Sequence, residues 1–331
     1  MKRKISVITG GAGFLGSHVA DYLIKKGHKV YIIDDFSTGH KNNIKHQLKN
    51  KNFNLIKNDI LNLSTNLACL KNCDYVFHFA GLGDIVPSIS HPEKYFKVNV
   101  HGTLKILEIL RYNKKLKKFV YAASSSCYGI PKKTPTNELD PIKPMYPYAF
   151  SKYIGEQLID HYSKVYKLNY ISLRLFNVYG TRSRTNSAYG AALGVFLKQK
   201  LENKPFTIVG DGNQKRDFIF IKDVCEAFAK SLFSNLQNET FNLGYGKPES
   251  VNKMIKIIGG KKVFIPKRPG EPSITHANIK KIKLILKWKP KVSLEDGLNI
   301  VLKNIDYWKN SILWDKNSIK RATKNWFKYL K

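Results

Sequence analysis

The chain has 331 residues, 43% of them hydrophobic, enough to bury a large core and to exclude disorder along its whole length. Its 57 lysines and arginines against 24 aspartates and glutamates give a formal charge of +33, which raises nucleic acid, anionic lipid and phosphorylated metabolites as partners. Only eight residues are arginine, with no arginine cluster, zinc-finger spacing or RNA-recognition module, so the excess reads as lysine on a solvated surface and no dedicated nucleic-acid partner is expected.

Cys69, Cys73, Cys127 and Cys225 form neither a CxxC nor a two-part ligand set, and no metal is expected. The chain starts directly into KRKISVITGG, and no apolar run approaches the roughly 20 residues that span a bilayer. The expectation is a soluble, cytoplasmic protein of a reducing compartment, with no transmembrane segment.

Residues 4–9, KISVIT, form a short apolar run rich in β-branched side chains, and GGAGFLGSHVADYLIKKG follows at once. Leu15, Val19, Leu23 and Ile24 recur at helical spacing, and Gly27 stops the helix. KVYIID then reads as a second strand ending in Asp34 and Asp35, completing a βαβ unit. Further strands are expected at 53–60, 73–81, 117–123 and in NYISLRLFNVYG, FTIVG and TFNLG, with helices over Tyr95–Asn113, 148–166 and IKDVCEAFAKSLFS. This alternation predicts an α/β fold: a Rossmann-type parallel sheet with helices on both faces and a smaller C-terminal substrate-binding region. The expected division is 1–178 with 210–245 for the dinucleotide domain, and 179–209 with 246–331 for the substrate region.

Gly10, Gly13 and Gly16 make a GxxGxxG series. A pyrophosphate at a helix N-terminus needs glycines there, for the tight turn, for close backbone approach and for packing the helix on the sheet. Such a series alone is also an ordinary turn; the preceding strand, the following helix and Asp34 favour the dinucleotide. An acid in that place accepts hydrogen bonds from ribose hydroxyls and repels a 2′-phosphate, so NAD is expected over NADP. Tyr148 and Lys152 in PYAFSK share one face of a helix, where the ammonium favours a phenolate and lets the phenol work as a neutral-pH acid or base. The bland alternative is a packed tyrosine beside a solvated lysine.

In combination and in order, TGGAGFLGSH, DDFSTG, NVHGT, SSSCYG, PYAFSK, RLFNVYG, GDGNQKRDFIFIKDV, KRPGEP and LKWKP resemble the extended short-chain dehydrogenase/reductase family, in particular its nucleotide-sugar epimerases and dehydratases. The resemblance spans nearly the whole chain. It implies bound NAD retained through turnover, with Tyr148 and Lys152 as the catalytic pair and Lys152 on the nicotinamide ribose. It further implies cofactor contacts from Phe14, Leu15, Asp35, Ser37, Asp59, Ile60, Ala80, Gly81, Asn99 and Ser124. Asn177, Arg216 and Arg268 would hold the diphosphate of a nucleotide-diphospho-sugar substrate, while Arg174 is as much a structural residue as a ligand contact. Asp223 would support a nearby helix. A homodimer through the helices containing Asn99–Asn113 and Tyr148–Tyr162 is implied as well.

Dehydratase relatives carry an acidic pair where this chain has Ser125 and Ser126, and decarboxylase relatives carry glutamate at Ser126. The missing acids imply reversible 4-epimerisation, with Ser126 beside the sugar's 4-hydroxyl, Ser124 near the cofactor and Tyr128 lining the pocket. Thr275 falls where the family sets a residue against the C2 substituent. A small side chain there leaves room for an N-acetyl group, so UDP-N-acetylglucosamine/UDP-N-acetylgalactosamine stands beside UDP-glucose/UDP-galactose. UDP-glucuronate 4-epimerisation, a nucleotide-4-keto-sugar reductase and a noncatalytic scaffold are the alternatives. Arg182 and Arg184 would meet a nucleotide, a partner subunit or solvent. The aromatic tail with Trp326, Phe327, Tyr329 and Leu330 is expected to pack on the core or a subunit rather than a membrane.

Overall fold

The computed structural model describes residues 3–183 and 192–330. The first strands follow the apolar runs: β1 (Ile5–Thr9), β2 (Lys29–Asp34), β3 (Phe53–Lys57), β4 (Tyr75–His78), β5 (Lys118–Ser124) and β6 (Tyr170–Leu175). Then come β7 (Asn177–Tyr179), β8 (Phe206–Val209), β9 (Lys215–Arg216), β10 (Phe218–Phe220), β11 (Glu239–Leu243), β12 (Glu249–Ser250) and β13 (Lys262–Ile265). Seven of these form one sheet in the order β11-β6-β5-β4-β1-β2-β3, with every neighbouring pair parallel. The order reverses beside β1, and the crevice at the carboxyl ends of β1 and β4 is where such sheets bind ligands.

The strands bury apolar residues on both faces because helices cover both sides of the sheet. Successive side chains of a strand point to opposite faces. Accordingly Val7, Phe119 and Tyr121 join one buried cluster, while Ile8, Val120 and Ala122 join the other. Each large side chain fully buried this way contributes about 1.5–3 kcal/mol.

One helix and one strand differ from expectation. The run predicted as one helix over Tyr95–Asn113 starts earlier, at Pro92, and consists of Pro92–Phe96, a π-helical turn Lys97–His101 and Gly102–Leu110. The extra residue of a π turn re-aims a side chain that a regular helix would direct elsewhere, and here it falls on Asn99. FTIVG forms β8, which pairs with the late strand β13 instead of joining the main sheet.

The remaining short strands pair β7 with β10 and β9 with β12, at the carboxyl edge of the main sheet. Trp288 and Trp308 are buried in the larger core, whereas Trp326 belongs to a separate apolar cluster with Val86, Val195 and Ile319. Among the described residues no helix is long and apolar enough to cross a membrane.

Candidate active site

The glycine turn between β1 and the helix Phe14–Lys25 is built for close approach. Gly10 takes a left-handed φ of 68°, and a Cβ there would lie 2.7 Å from the Ala80 backbone nitrogen. A Cβ on Gly16 would sit 2.2 Å from the Gly10 carbonyl oxygen, so the helix start lies directly on the turn. The turn opens on a cleft of about 470 Å³ that also brings Gly13, Phe14, Leu15, Asp34, Asp35, Ser37, Asp59, Ile60, Ala80 and Gly81 to one surface. Its far wall includes Arg182, Leu193, Ile312 and Trp314.

Asp34 is buried and accepts from two backbone amides, Ala12 N–H at 2.8 Å and Phe36 N–H at 2.8 Å. Burial pushes its carboxyl above the usual range, opposed by those two donors. It therefore shapes the turn as well as facing the cleft. The exposed Asp35 accepts from the Ser37 backbone and hydroxyl, so the Ser37 side chain is engaged within its own loop. Asp59 caps the short turn before Ile60 by accepting from Leu61 N–H.

Tyr148, Lys152 and Glu156 follow one another at four-residue steps on the helix Pro147–Tyr166. The Lys152 ammonium lies 4.1 Å from the centre of the Tyr121 ring, and burial lowers its pKa to about 7, with the Glu156 charge pulling it back up. Burial raises the Tyr148 phenol to about 12, opposed by its hydrogen bond to the Ser124 side chain. The serines of the run meet different tyrosines. Ser124, the last residue of β5, meets Tyr148, while Ser126, one step into the following 3₁₀ turn, is hydrogen-bonded to Tyr146. The turn rotates each successive serine away from its neighbour's direction, and Ser124 also accepts from Ser126 N–H at 3.2 Å. Tyr128 does not line the pocket: it is buried, donates to Asn242 at 2.7 Å and accepts from Arg174 at 2.8 Å. Cys127 is buried in the larger core.

Beneath the pair runs a directed chain of buried polar groups that sequence reading missed. Ala80 N–H donates to Thr9 Oγ1 at 3.2 Å, and Thr9 lies 2.6 Å from His78 Nδ1. His78 Nε2 lies 2.9 Å from Thr103 Oγ1, whose single proton goes to the Asn99 carbonyl at 2.6 Å. With that proton spent, Nε2–H must donate to Thr103 and Nδ1 accept from Thr9. Burial agrees by holding His78 neutral, its pKa lowered to about 3. The Asn99 side chain accepts from Leu82 N–H and donates to Leu82 O and Ser151 Oγ, pinning the loop after β4 to the tyrosine's helix. Polar residues inside otherwise apolar strand runs, Thr9 and His78, were the available signal.

Asn177 Oδ1 accepts from the Thr275 hydroxyl at 2.9 Å, and that hydroxyl accepts from Asp217 N–H at 3.2 Å. Arg216 and Arg268 converge on Glu271, at 3.7 and 2.8 Å. Tyr146, bonded to Ser126, feels both guanidinium charges. Arg174 stands apart from this group: it pairs with the buried Glu156 at 2.5 Å and is structural. Asp223, in the first turn of the helix Ile221–Phe233 where a negative charge is favourable, also accepts from Lys291 and Val292 N–H and so holds the loop after LKWKP. Arg182 pairs with Asp21 at 2.8 Å, and Arg184 lies outside the described residues.

Residues 6–244 match the NAD dependent epimerase/dehydratase family. The chain belongs to that family. It is 36% identical over 312 residues to a putative UDP-glucose 4-epimerase of Methanocaldococcus jannaschii, covering 92% of this chain and 98% of the relative. Among solved structures it is similar to the UDP-N-acetylglucosamine 4-epimerase of Methanobrevibacter ruminantium in complex with UDP-N-acetylmuramic acid, at TM-score 0.85 and 31% identity over 92% of this chain and 100% of that one. The UDP-glucuronic acid 4-epimerase of Bacillus cereus, in complex with UDP-glucuronic acid and NAD, gives TM-score 0.85 and 33% identity over 92% and 99%. The glycine turn fits the family's NAD on this structure's own terms: a Cβ at Gly10 or Gly16 would strike the protein's own backbone, and their absence lets the turn pack against Phe79–Ala80 and the helix start while Gly10, Gly13 and Gly16 line the cleft.

Proposed function

We propose that this chain interconverts a UDP-hexose with its 4-epimer, UDP-N-acetylglucosamine with UDP-N-acetylgalactosamine first and UDP-glucose with UDP-galactose second. The observation that carries the reading is the phenol of Tyr148 bonded to Ser124 and set one helical turn from Lys152 on the helix Pro147–Tyr166. Bound NAD supplies the acceptor and donor of hydride at C4 of the sugar. The chain's own groups do the rest. The glycine turn would carry the pyrophosphate, Asp34 the adenosine ribose and Lys152 the nicotinamide ribose. Ser124 and Tyr148 would take the proton from the sugar's 4-hydroxyl and return it to the 4-keto group after the ring has turned. Because burial alone raises Tyr148 to about 12, the phenolate depends on positive charge beside it, and Lys152 is the residue that brings one.

Elimination or decarboxylation would call for further acid and base groups next to the sugar, and the two positions beside Ser124 offer only the hydroxyls of Ser125 and Ser126. Asn177, Arg216 and Arg268 would hold the diphosphate, Arg in the bidentate, permanently charged manner suited to it. Thr275, a small residue tied to Asn177, would leave the space that an N-acetyl group needs. Exposed Tyr112, Phe150, Val165 and Tyr166 lie on or beside the paired helices and support a homodimer there, which sedimentation at assay concentration tests.

Purified protein incubated with each UDP-sugar and no added reductant, with products identified by NMR, tests the reading. The expected outcome is an equilibrium mixture of 4-epimers. Turnover only with stoichiometric consumption of external NADH or NADPH would replace it by the reductase.

A further inference from the structure

We infer that the C-terminal helix pair, Lys316–Ala322 and Lys324–Tyr329, is a positioning element for the substrate's diphosphate, acting through Trp326 on Arg268. The inference rests on the reading that Arg216 and Arg268 hold that diphosphate, and it adds a residue from a distant part of the chain.

Two kinds of contact carry it. First, the tail is fixed to the rest of the molecule by directed hydrogen bonds. Buried Lys198 donates to Lys309 O at 2.6 Å, buried Gln199 to Trp314 O at 2.7 Å, and Asn325 to Ser90 Oγ at 3.0 Å. Between these anchors Ile312 and Trp314 form part of the cleft wall. Second, Trp326 reaches the substrate side itself. Its indole N–H donates to Pro269 O at 2.8 Å, and the Arg268 guanidinium lies 5.6 Å from its ring centre. Tyr146, which is bonded to Ser126, lies 5.7 Å from the same indole.

An arginine has several free torsions, and an ordered guanidinium face costs rotamer entropy unless neighbours fix it first. Here the guanidinium lies over the indole ring, Glu271 pairs with it from 2.8 Å, and the indole N–H holds the backbone one residue beyond Arg268. Trp326 is thus a positioning residue: it touches no reacting atom and sets the donor that would meet the diphosphate.

The test is a double-mutant cycle on the full-length, NAD-loaded protein, reading KM and kcat for the UDP-sugar, the Kd of UDP by calorimetry and bound NAD. Trp326→Leu is expected to raise KM and the UDP Kd about tenfold, from the loss of the ring face and the indole hydrogen bond, with kcat and bound NAD unchanged. Trp326→Phe, which keeps a ring face, is expected to recover most of that loss. In the Arg268→Ala background Trp326→Leu should add little, because the group it positions is gone. Equal effects in both backgrounds, or unchanged UDP affinity in Trp326→Leu, would overturn the inference. Unchanged UDP affinity in Arg268→Ala alone would instead overturn the diphosphate reading beneath it. Where Trp326→Leu does not accumulate as folded protein, the same cycle with Trp326→Phe decides, about threefold and non-additive being the expected result and additivity the overturning one.

Discussion

The proposed cofactor end and the proposed substrate end of the site are built from different materials. At the cofactor end the recognising surface is backbone: a glycine turn, two amides on Asp34 and the loop after β4, all fixed by one stretch of chain and its neighbouring strands. At the proposed substrate end it would be side chains, Asn177, Arg216, Arg268 and Thr275, gathered from separate segments, with Thr275 bonded to Asn177 and both arginines paired with Glu271. A backbone surface has no atom to spare, so it should fail on small changes. A side-chain surface can be retuned one residue at a time, so it should shift preference before it fails.

Tyr148→Phe gives the largest expected effect. Turnover should fall about a thousandfold with NAD still bound, the loss typical of a proton-transfer group, and wild-type-like rates would remove Tyr148 from its role. Gly16→Ala comes next. The added methyl meets backbone 2.2 Å away, so a loss of about 3 kcal/mol in stability and release of NAD are expected by thermal melting and cofactor assay. An unchanged melting point with NAD retained would show that the cofactor end yields more than its geometry says.

Lys152→Met separates function from stability. Burial depresses the native lysine to about 7 from an ordinary value near 10.5, so the unfolded chain binds more protons between those values and this residue destabilises the fold most at low pH. The variant should lose activity yet melt higher than wild type at pH 6, with the gain fading as pH approaches 10. A variant that melts lower at pH 6 would show that the ammonium is stabilised where it lies.

At the substrate end Thr275→Tyr should shift the preference away from N-acetylated sugars roughly tenfold, about 1.4 kcal/mol, leaving simple hexoses turned over. Equal losses for both would dismiss Thr275 as the gate. Smallest of all, Ser126→Ala should cost less than about threefold in kcat while Ser124→Ala costs ten- to a hundredfold, a removed hydrogen bond to the reacting group. The reverse order would put Ser126, not Ser124, of the serine run beside the reacting oxygen.

That run shows where sequence stops being informative. The glycine turn, the βαβ unit and the Tyr148–Lys152 spacing are local patterns, and each has the structure its period predicts. Which serine faces Tyr148 depends on where β5 ends and the 3₁₀ turn begins, and one residue either way redirects every hydroxyl. Asn99 was read on a regular helix, but the π turn around it is what aims its amide at Leu82 and Ser151. Trp326 and Arg268 are far apart in the chain, and no local pattern announces their contact.

The most direct measurement follows one hydrogen. UDP-N-acetylglucosamine labelled with deuterium at C4, incubated with the purified protein in ordinary water, should give UDP-N-acetylgalactosamine that still carries the deuterium at C4, because the hydride leaves and returns within one closed site. Product that has lost the label to solvent, or a product that is not the 4-epimer, would contradict the account.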